Sequence, residues 1–379
     1  MDVKKYIKQR MDGKNSKPIF LDLAKKNDEL ALEGLFENGE IRAVSDDFAE
    51  QLSELYAVDH PGEIFSADFK KSVDSYKKRL NRELPLSRRG LWVYYPWLSK
   101  VVHLLDKSEF LKLRTARNRN LITQEEQEKY ASAVIGIGGL SVGSTVAVSL
   151  ALSGGGSYFK LADMDRLALS NTNRILGNVH NLGLNKAVLT ARMLYEINPY
   201  LDIELFTDGL HKGNIVSFLV GVNGTPKLDI VVDELDNLGV KYLIREQAKR
   251  HRLPVVMAAD NGDGSVVDIE RYDLDTETAF FHGRMGKVSY EMLSKLDKVG
   301  IGQMITKHIG AENVTARMRE SLGEIGKTIV SWPQLGGAAM ISGASVAYCV
   351  RKILLGQPVE SDRGVIALDS LLSGGERCK

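Results

Sequence analysis

The sequence has 379 residues, 44% of them hydrophobic, so it can form a large buried core and more than one domain. Lysine and arginine number 50 against 49 aspartates and glutamates, and a formal net charge of +1 gives no overall field that would hold a nucleic acid or an anionic membrane. The two cysteines, Cys349 and Cys378, cannot frame a disulfide scaffold, and we expect a cytoplasmic protein without a secretory signal or membrane anchor.

The first 87 residues predict a small helix-rich region whose role the sequence does not reveal. Phe48, Leu52 and Leu55 recur there at helical spacing. Residues 88–379 predict a second, larger domain. It opens with the aromatic and β-branched segment LWVYYPWLSKVVHLL, which predicts one or two strands, followed by the arginine-rich connection KLRTARNRNLITQEEQEKYAS.

Short apolar strands then alternate with helices. The strands are AVIGIGG, YFKLADMD, DIELFTDGL, LDIVVDELD and PVVMAAD, and the helices include AVLTARMLYEI and VKYLIREQAKRH. This alternation predicts an α/β fold with a doubly wound, mostly parallel sheet and helices on both faces. Residues 276–330 predict only short helices. GGAAMISGASVAYCVRKILLG predicts a long helix whose small residues allow close packing.

The first candidate site is a glycine-rich loop between the strand SAVI and a helix, with Gly136, Gly138 and Gly139 as candidate nucleotide-binding residues. Glycines let the backbone approach a phosphate, and the amides and dipole of the helix N-terminus favour an anion. The loop alone fits NAD, FAD, S-adenosylmethionine or ATP equally well. A tight turn without a ligand is the structural alternative.

The second candidate site follows the next strand. Asp163 and Asp165 are two residues apart, so their side chains point to the same face of an extended backbone. An acid at that strand end can bind ribose hydroxyls. The polar and cationic residues after it are Ser170, Asn171, Arg174 and Lys186. Two cations behind the ribose-binding acid suit a triphosphate better than NAD, because its charge must be neutralised when pyrophosphate leaves. Taken singly, each residue could be an ordinary solvated side chain.

The third candidate site is the segment DELDN, residues 233–237, which ends the apolar strand LDIVV. Magnesium prefers oxygen ligands and keeps several waters, so Asp236 is the candidate metal ligand and Asn237 a candidate nucleotide contact. A helix N-cap is the competing interpretation of Asp236.

These segments, in this order, resemble the motifs of the ThiF/MoeB superfamily, which includes ubiquitin-activating enzymes and the adenylating enzymes of molybdopterin and thiamine biosynthesis. The motifs are GIGGLSVGS, LADMDRLALSNTNR, the lysine before AVLTARMLYEINP, and VVDELDN, within a resemblance that spans about residues 88–358. It implies a Rossmann-like adenylation domain in which Gly139 and Lys186 contact the phosphates, Asp163 the ribose, Asn171 and Arg174 the triphosphate, and Asp236 the magnesium ion.

The resemblance also implies a homodimer, because an arginine before the first strand of the family reaches into the partner's site. Arg117 is the preferred match, since Asn118 follows it, and Arg119 is the alternative. The alternative interpretation is that this arginine-rich segment is a solvated linker with no role in the site. The chain departs from the family in having Ser141 within the loop and in lacking the zinc-binding CxxC pairs, so no structural zinc is expected.

The leading hypothesis is an adenylyltransferase that uses ATP and Mg²⁺ to activate a carboxylate, such as a peptide or protein C-terminus, as an acyl-adenylate. Neither cysteine lies where it could accept the acyl group, so a thioester step is not expected. An NAD-dependent oxidoreductase would explain the glycine loop and Asp163 but not Arg174, Lys186 or Asp236. A non-catalytic nucleotide-binding scaffold is the third hypothesis.

Overall fold

The computed structural model describes residues 16–372, which form two compact units. The first unit extends to Gln124 and includes Asn198–Tyr200, and the second contains Glu125–Ile197 and the chain from Leu201 onwards. The boundary predicted between residues 87 and 88 therefore falls inside the first unit. The reason is strand pairing, because the predicted strands LWVYY and KVVHL form a sheet with two strands from the first 87 residues.

The first unit is a small α/β structure rather than a group of helices. Its strands are β1 (Ile19–Leu21), β2 (Ala43–Asp46), β3 (Leu91–Tyr95) and β4 (Lys100–Leu104), in the order β1-β3-β4-β2. Its helices are α1 (Lys26–Glu37), α2 (Phe48–Asp59), α3 (Phe69–Glu83) and α4 (Lys107–Arg114). Strands β1 and β2 escape prediction because they have three and four residues and several of their side chains are exposed.

The second unit is built around a seven-stranded sheet. Its strands are β5 (Val134–Gly138), β6 (Tyr158–Ala162), β7 (Asp202–Phe206), β8 (Ile230–Asp233), β9 (Val255–Asn261), β10 (Gly264–Glu270) and β11 (Arg363–Ile366). Its helices are α5 (Gln124–Ala131), which begins at the boundary between the units, α6 (Val142–Leu152), α7 (Lys186–Ile197), α8 (Ile215–Val220), α9 (Leu238–His251), α10 (Tyr290–Ser294), α11 (Lys298–Ile309), α12 (Ala316–Leu322), α13 (Gly336–Leu354) and α14 (Leu368–Leu372).

The strand order is β7-β6-β5-β8-β9-β10-β11, and the first five strands are parallel. Strands β10 and β11 add an antiparallel edge that follows β9. The chain order reverses direction between β5 and β8, which creates a crevice outside the carboxyl ends of these strands. This arrangement confirms the predicted doubly wound, mostly parallel sheet.

Helices cover both faces of this sheet, as two neighbouring residues of β5 illustrate. A Cβ atom at Gly136 would collide with Leu228 and approach Phe218 of α8, whereas a Cβ atom at Gly143 of α6 would approach the side chain of Ile137. Consecutive residues of a strand point to opposite faces, so α8 and α6 lie on opposite sides.

The predicted small-residue helix is α13, and it packs against α6 and the strands β9 and β10. A Cβ atom at Gly343 would collide with Thr145 of α6, whose hydroxyl donates a hydrogen bond of 2.9 Å to the carbonyl of Ala339. The small residues therefore permit close packing between these helices. Among the helices described, none has both the length and the apolar character needed to cross a membrane.

Candidate functional site

The glycine-rich turn joins β5 to α6 at the carboxyl edge of the sheet. Gly139 has a φ of +83°, and a Cβ atom there would collide with the carbonyl oxygen of Glu234, so only glycine fits. Gly138 ends the strand close to Leu210 and Leu235. Gly136 lies inside the strand against Leu228, which gives it a packing role away from the turn. The turn presents the first backbone amides of α6, which have no partners within the helix, to the crevice.

Asp163 at the end of β6 holds this turn in place. Its Oδ2 accepts a hydrogen bond of 2.8 Å from the amide of Leu140, and its Oδ1 accepts one of 2.8 Å from the amide of Asp165. Burial raises the pKa of Asp163 above its ordinary value, although Lys186 and these amides oppose the shift. Each carboxylate oxygen keeps a second lone pair, so Asp163 can still accept a hydrogen bond from a ligand hydroxyl.

Lys186 begins α7 and lies beside the same carboxylates. Its Nζ is 3.0 Å from Oδ2 of Asp165, and the Lys186 side chain is 9% exposed while that of Asp165 is 64% exposed. The sequence reasoning missed Asn185, which caps α7 by accepting bonds from the amides of Ala187 and Val188. Asn185 also donates to the carbonyl of Asp163. An asparagine directly before a helix is the signal that could have identified it.

The loop after β6 carries Ser170, Asn171 and Arg174. Asn171 accepts a bond from the amide of Ala168, and Nη1 of Arg174 donates to the carbonyl of Ser170 and to Oδ1 of Asn173. Nε of Arg174 is buried and has no hydrogen-bond partner in the described part of the chain. Arg174 therefore carries one donor that its surroundings leave unsatisfied.

The end of β8 contributes residues with different environments. Asp236 is exposed, whereas Asn237 caps α9 by accepting a bond of 3.0 Å from the amide of Val240. The helix cap considered for Asp236 thus belongs to Asn237.

Glu234, which the sequence reasoning did not select, accepts a bond from the amide of Ala258. Burial raises the pKa of Glu234 well above its ordinary value; Lys241 and the Ala258 amide oppose the shift, and neighbouring carboxylates add to it.

Asp260 near the end of β9 is a further residue that the sequence reasoning missed. It is 4% exposed and accepts hydrogen bonds from the hydroxyl of Ser342 at 2.8 Å and from Nε2 of Gln334 at 3.0 Å. Burial raises the pKa of Asp260, while these two donors and the charge of Arg174 oppose the shift. The position of an aspartate after the apolar strand VVMAA was the available signal.

The ends of β6, β8 and β9 therefore gather more carboxylates than cations. The carboxylates are Asp163, Asp165, Glu234, Asp236 and Asp260, and the cations just described are Lys186, Arg174 and Lys241. A polyphosphate bound here would need further positive charge, from a metal ion or another basic residue, to offset repulsion by the carboxylates.

A second charged cluster lies in the interior under α9, although its central residue Asp233 pairs with Gly138 in the sheet. Asp233 is fully buried, and its Oδ2 is 3.2 Å from Nζ of Lys241 and 2.5 Å from Nη1 of Arg245. Burial acts to raise the pKa of Asp233, but the two cations outweigh it and hold the pKa below its ordinary value. Nε of Arg245 is 2.7 Å from Glu270, and the guanidinium stacks over the ring of Phe281. Asp233 thus belongs to the interior although it is three residues before Asp236.

The sequence also singled out two arginines and two cysteines. Arg117, in a 3₁₀ turn at Ala116–Asn118 of the first unit, and Arg119 after it are exposed. Cys349 is buried in α13, and burial raises the pKa of its thiol to about 11, which makes it a poor nucleophile at neutral pH. Cys378 lies outside the described residues.

Comparison with known proteins matches residues 114–370 to the ThiF family. The "Uncharacterized protein MT1398" of Mycobacterium tuberculosis (strain CDC 1551 / Oshkosh) is 38% identical over 272 residues, which cover 72% of this chain and 37% of that protein. The "Probable molybdopterin-synthase adenylyltransferase" of Porphyra purpurea is 32% identical, over 32% of this chain and 30% of its own length.

The "Sulfur carrier protein adenylyltransferase" of Thermus thermophilus is 27% identical, over 43% of this chain and 55% of its own length. The chain therefore spans from about a third to just over half of the length of these curated relatives.

Proposed function

The chain belongs to the ThiF family, and from this premise we propose that it is an adenylyltransferase, which uses ATP to convert a carboxylate into an acyl-adenylate with release of pyrophosphate. One observation carries the proposal. The Asp163 carboxylate clamps the amide of Leu140 in the glycine-rich turn, with the Lys186 and Asp165 pair beside it. This arrangement provides backbone amides for phosphate and an acceptor for a ribose hydroxyl at the reversal of the sheet.

In the proposed reaction, a carboxylate oxygen of the substrate forms a bond to the α-phosphorus of ATP. The bond between that phosphorus and the oxygen bridging to the β-phosphate breaks, and its electron pair leaves with pyrophosphate. The chain would contribute by holding the two reactants together and by neutralising the leaving group. Lys186 and the guanidinium of Arg174 are the cations suited to that role.

The residues at this edge fit a magnesium ion bound partly through the nucleotide. Within the described part of the chain, no group of three His, Cys, Asp or Glu side chains could hold a metal by itself. Magnesium in nucleotide sites is commonly held by one or two carboxylates together with phosphate oxygens and water. Asp236, exposed beyond β8, would be that carboxylate. Bound there, the ion would offset the negative charge of the phosphates and the neighbouring carboxylates.

Two further parts of the proposal concern partners. The substrate carboxylate is proposed to be the C-terminus of a small protein or peptide, a view supported by the name of the Thermus relative.

The active form is proposed to be a homodimer in which Arg117 enters the neighbouring chain's site. The excess of carboxylates over cations at the edge and the exposure of Arg117 support this view. The proposed reaction uses neither cysteine.

The proposed function is tested through Asp236. We expect the wild-type protein to catalyse magnesium-dependent exchange of labelled pyrophosphate into ATP in the presence of its carboxylate substrate. Asp236→Ala should reduce exchange by roughly 100-fold or more, since it removes a fixed ligand of the charge-neutralising ion. Its circular dichroism spectrum and melting temperature should match the wild type, because the side chain is exposed.

Glu246→Ala is the matched control, because this exposed carboxylate on α9 lies away from the crevice residues. The increase in the protein's melting temperature on adding ATP with Mg²⁺, compared with the increase on adding NAD, can be measured without a carboxylate substrate. Stabilisation by NAD alone, or wild-type exchange by Asp236→Ala, would refute the assignment.

A further inference from the structure

We propose that Gln334 is a positioning residue, which Asp260 holds so that Gln334 in turn fixes the loop carrying Arg174. The inference deepens the proposed function and rests on it for its kinetic consequence, because Arg174 is the residue proposed to bind phosphate. Gln334 lies two residues before α13, in the segment WPQLGG that leads into this helix, and the nucleotide-binding motifs do not explain this segment.

Gln334 is bonded on two sides. Its Nε2 donates to Oδ2 of Asp260 at 3.0 Å, and its backbone carbonyl accepts from Nδ2 of Asn173 at 2.9 Å. Oδ1 of Asn173 in turn accepts from Nη1 of Arg174 at 2.9 Å. These bonds form a continuous chain from Asp260 through the side chain and backbone of Gln334 to the Arg174 guanidinium.

The two ends of this chain are held by packing. Asp260 is 4% exposed and also accepts a bond from Ser342 of α13, so its carboxylate cannot rotate without breaking a buried bond. Gly336 lies so close to the carbonyl oxygen of Asn173, about 2.5 Å from the position of a Cβ atom, that no side chain fits there. The segment before α13 therefore lies directly on the Arg174 loop.

The loop needs this support because its own bonds are local. Amides of Arg174 and Ile175 donate to the carbonyl of Asn171, and that of Thr172 donates to Leu169, all within one short turn. Nε of Arg174 has no hydrogen-bond partner among the described residues, so the loop gains no further restraint from that atom. Without Gln334, we expect the turn to open more often and Arg174 to occupy its phosphate-binding orientation less often.

The experiment uses the full chain and the variants Gln334→Ala, Gln334→Glu, Asp260→Asn and the double variant Gln334→Glu/Asp260→Asn. Gln303→Ala, on an exposed position of α11, is the matched control. The first measurement is amide hydrogen exchange of the ligand-free protein over residues 167–176. The second is the KM for ATP and the kcat of pyrophosphate exchange.

Gln334→Ala should lose protection at the amides of residues 172, 174 and 175 and lose roughly 10- to 100-fold in kcat/KM for ATP. Protection in the core of α13 should remain, which separates positioning from unfolding. Gln334→Glu should be at least as impaired, because two carboxylates then face each other. The double variant should recover most of both losses, since the amide introduced at position 260 can donate to the carboxylate introduced at position 334.

Wild-type exchange protection and kinetics in Gln334→Ala would overturn the inference, as would a folded double variant no better than Gln334→Glu alone. Failure of the proposed function gives a different result: the wild type lacks pyrophosphate exchange, and the hydrogen-exchange measurement alone then decides whether Gln334 positions the loop.

Discussion

Two groups of charged side chains in the same sheet domain differ in how fully they are paired. Around Arg245, the carboxylates of Asp233 and Glu270 are buried and each contacts the guanidinium. At the carboxyl edge, Asp165 and Asp236 are exposed, and among the described residues Arg174 donates to a backbone carbonyl and an amide oxygen rather than to a carboxylate. The buried group uses its charges to satisfy one another, whereas the edge group keeps capacity for a ligand. Pairing, rather than charge alone, separates a structural cluster from a candidate site.

The sharpest way to test this comparison is to remove the central cation of the buried cluster. Arg245→Met leaves Glu270 without its cation and Asp233 with Lys241 alone, and breaking a buried pair typically costs about 3–5 kcal/mol. We expect a large fall in the urea midpoint at pH 7.5. Arg250→Met, an exposed arginine on the same helix, should change it little.

The same variant should depend on pH in a defined direction. Burial raises the pKa of Glu270, and Arg245 opposes that shift, so removing Arg245 should raise the pKa further. A carboxyl group with a raised folded-state pKa costs stability as the pH rises above its unfolded-state pKa, and the cost is complete above its folded-state pKa, because the unfolded chain ionises more readily. The destabilisation should therefore shrink between pH 7.5 and pH 5.5. A midpoint equal to the wild type would show that the buried charges are not interdependent.

Replacing a cation by methionine at the carboxyl edge of the sheet should reduce activity rather than stability. Lys186→Met removes a cation proposed to contact phosphate, and we expect pyrophosphate exchange to fall by roughly 100-fold. Asp165 is 64% exposed and can return to water, and the buried Asp163 keeps two amide hydrogen bonds, so the loss of stability should be smaller than that of Arg245→Met. Lys287→Met, an exposed lysine, is the control. If Lys186→Met instead lowers the free energy of unfolding strongly, and its folded fraction keeps wild-type activity, then the edge cluster has a structural role like that of the buried cluster.

The smallest expected effect is a partial recovery of activity, which tests whether a second chain completes the candidate site at the carboxyl edge of the sheet. Arg117→Ala and Asp236→Ala chains should each be inactive alone. In a random 1:1 mixture half of the dimers are mixed, and each has one intact site of two, so about a quarter of wild-type activity should return. Absence of recovery, when mixed dimers are verified by mass spectrometry, would place the role of Arg117 within its own chain or transfer it to Arg119.

The sequence was sufficient for the parallel sheet and for the order of the site motifs, because buried parallel strands are continuous apolar runs such as AVIGIG and LDIVV. It did not predict β1 or β2, whose short and partly exposed strands carry little periodic signal. The choice of Asp236 over Asp233 rests on the family resemblance, because the residue pattern alone does not show that Asp233 is buried and Asp236 exposed. Both follow the same apolar strand, and only Lys241 and Arg245 on the following helix decide which carboxylate is buried.

Asp260 and Gln334 illustrate a different limit. They are 74 residues apart, and neither belongs to a spacing pattern that predicts chemistry. Their contact depends on how α13 packs across β9 and β10, which no local signal encodes. The roles of Arg117 and Asn171 rest on the family resemblance and stay predictions, as does the magnesium role of Asp236.

The packing of α6 against α13 has a consequence for biosynthesis. Thr145 and Ala339, which meet between these helices, are 194 residues apart in the chain. At a translation rate of about 5–20 residues per second, roughly 10–40 s separate their emergence from the ribosome. During that interval the face of α6 that α13 will cover has no packing partner from this helix. The glycine-rich turn is thus synthesised early, but the helix behind it reaches its final packing only after α13 has been made.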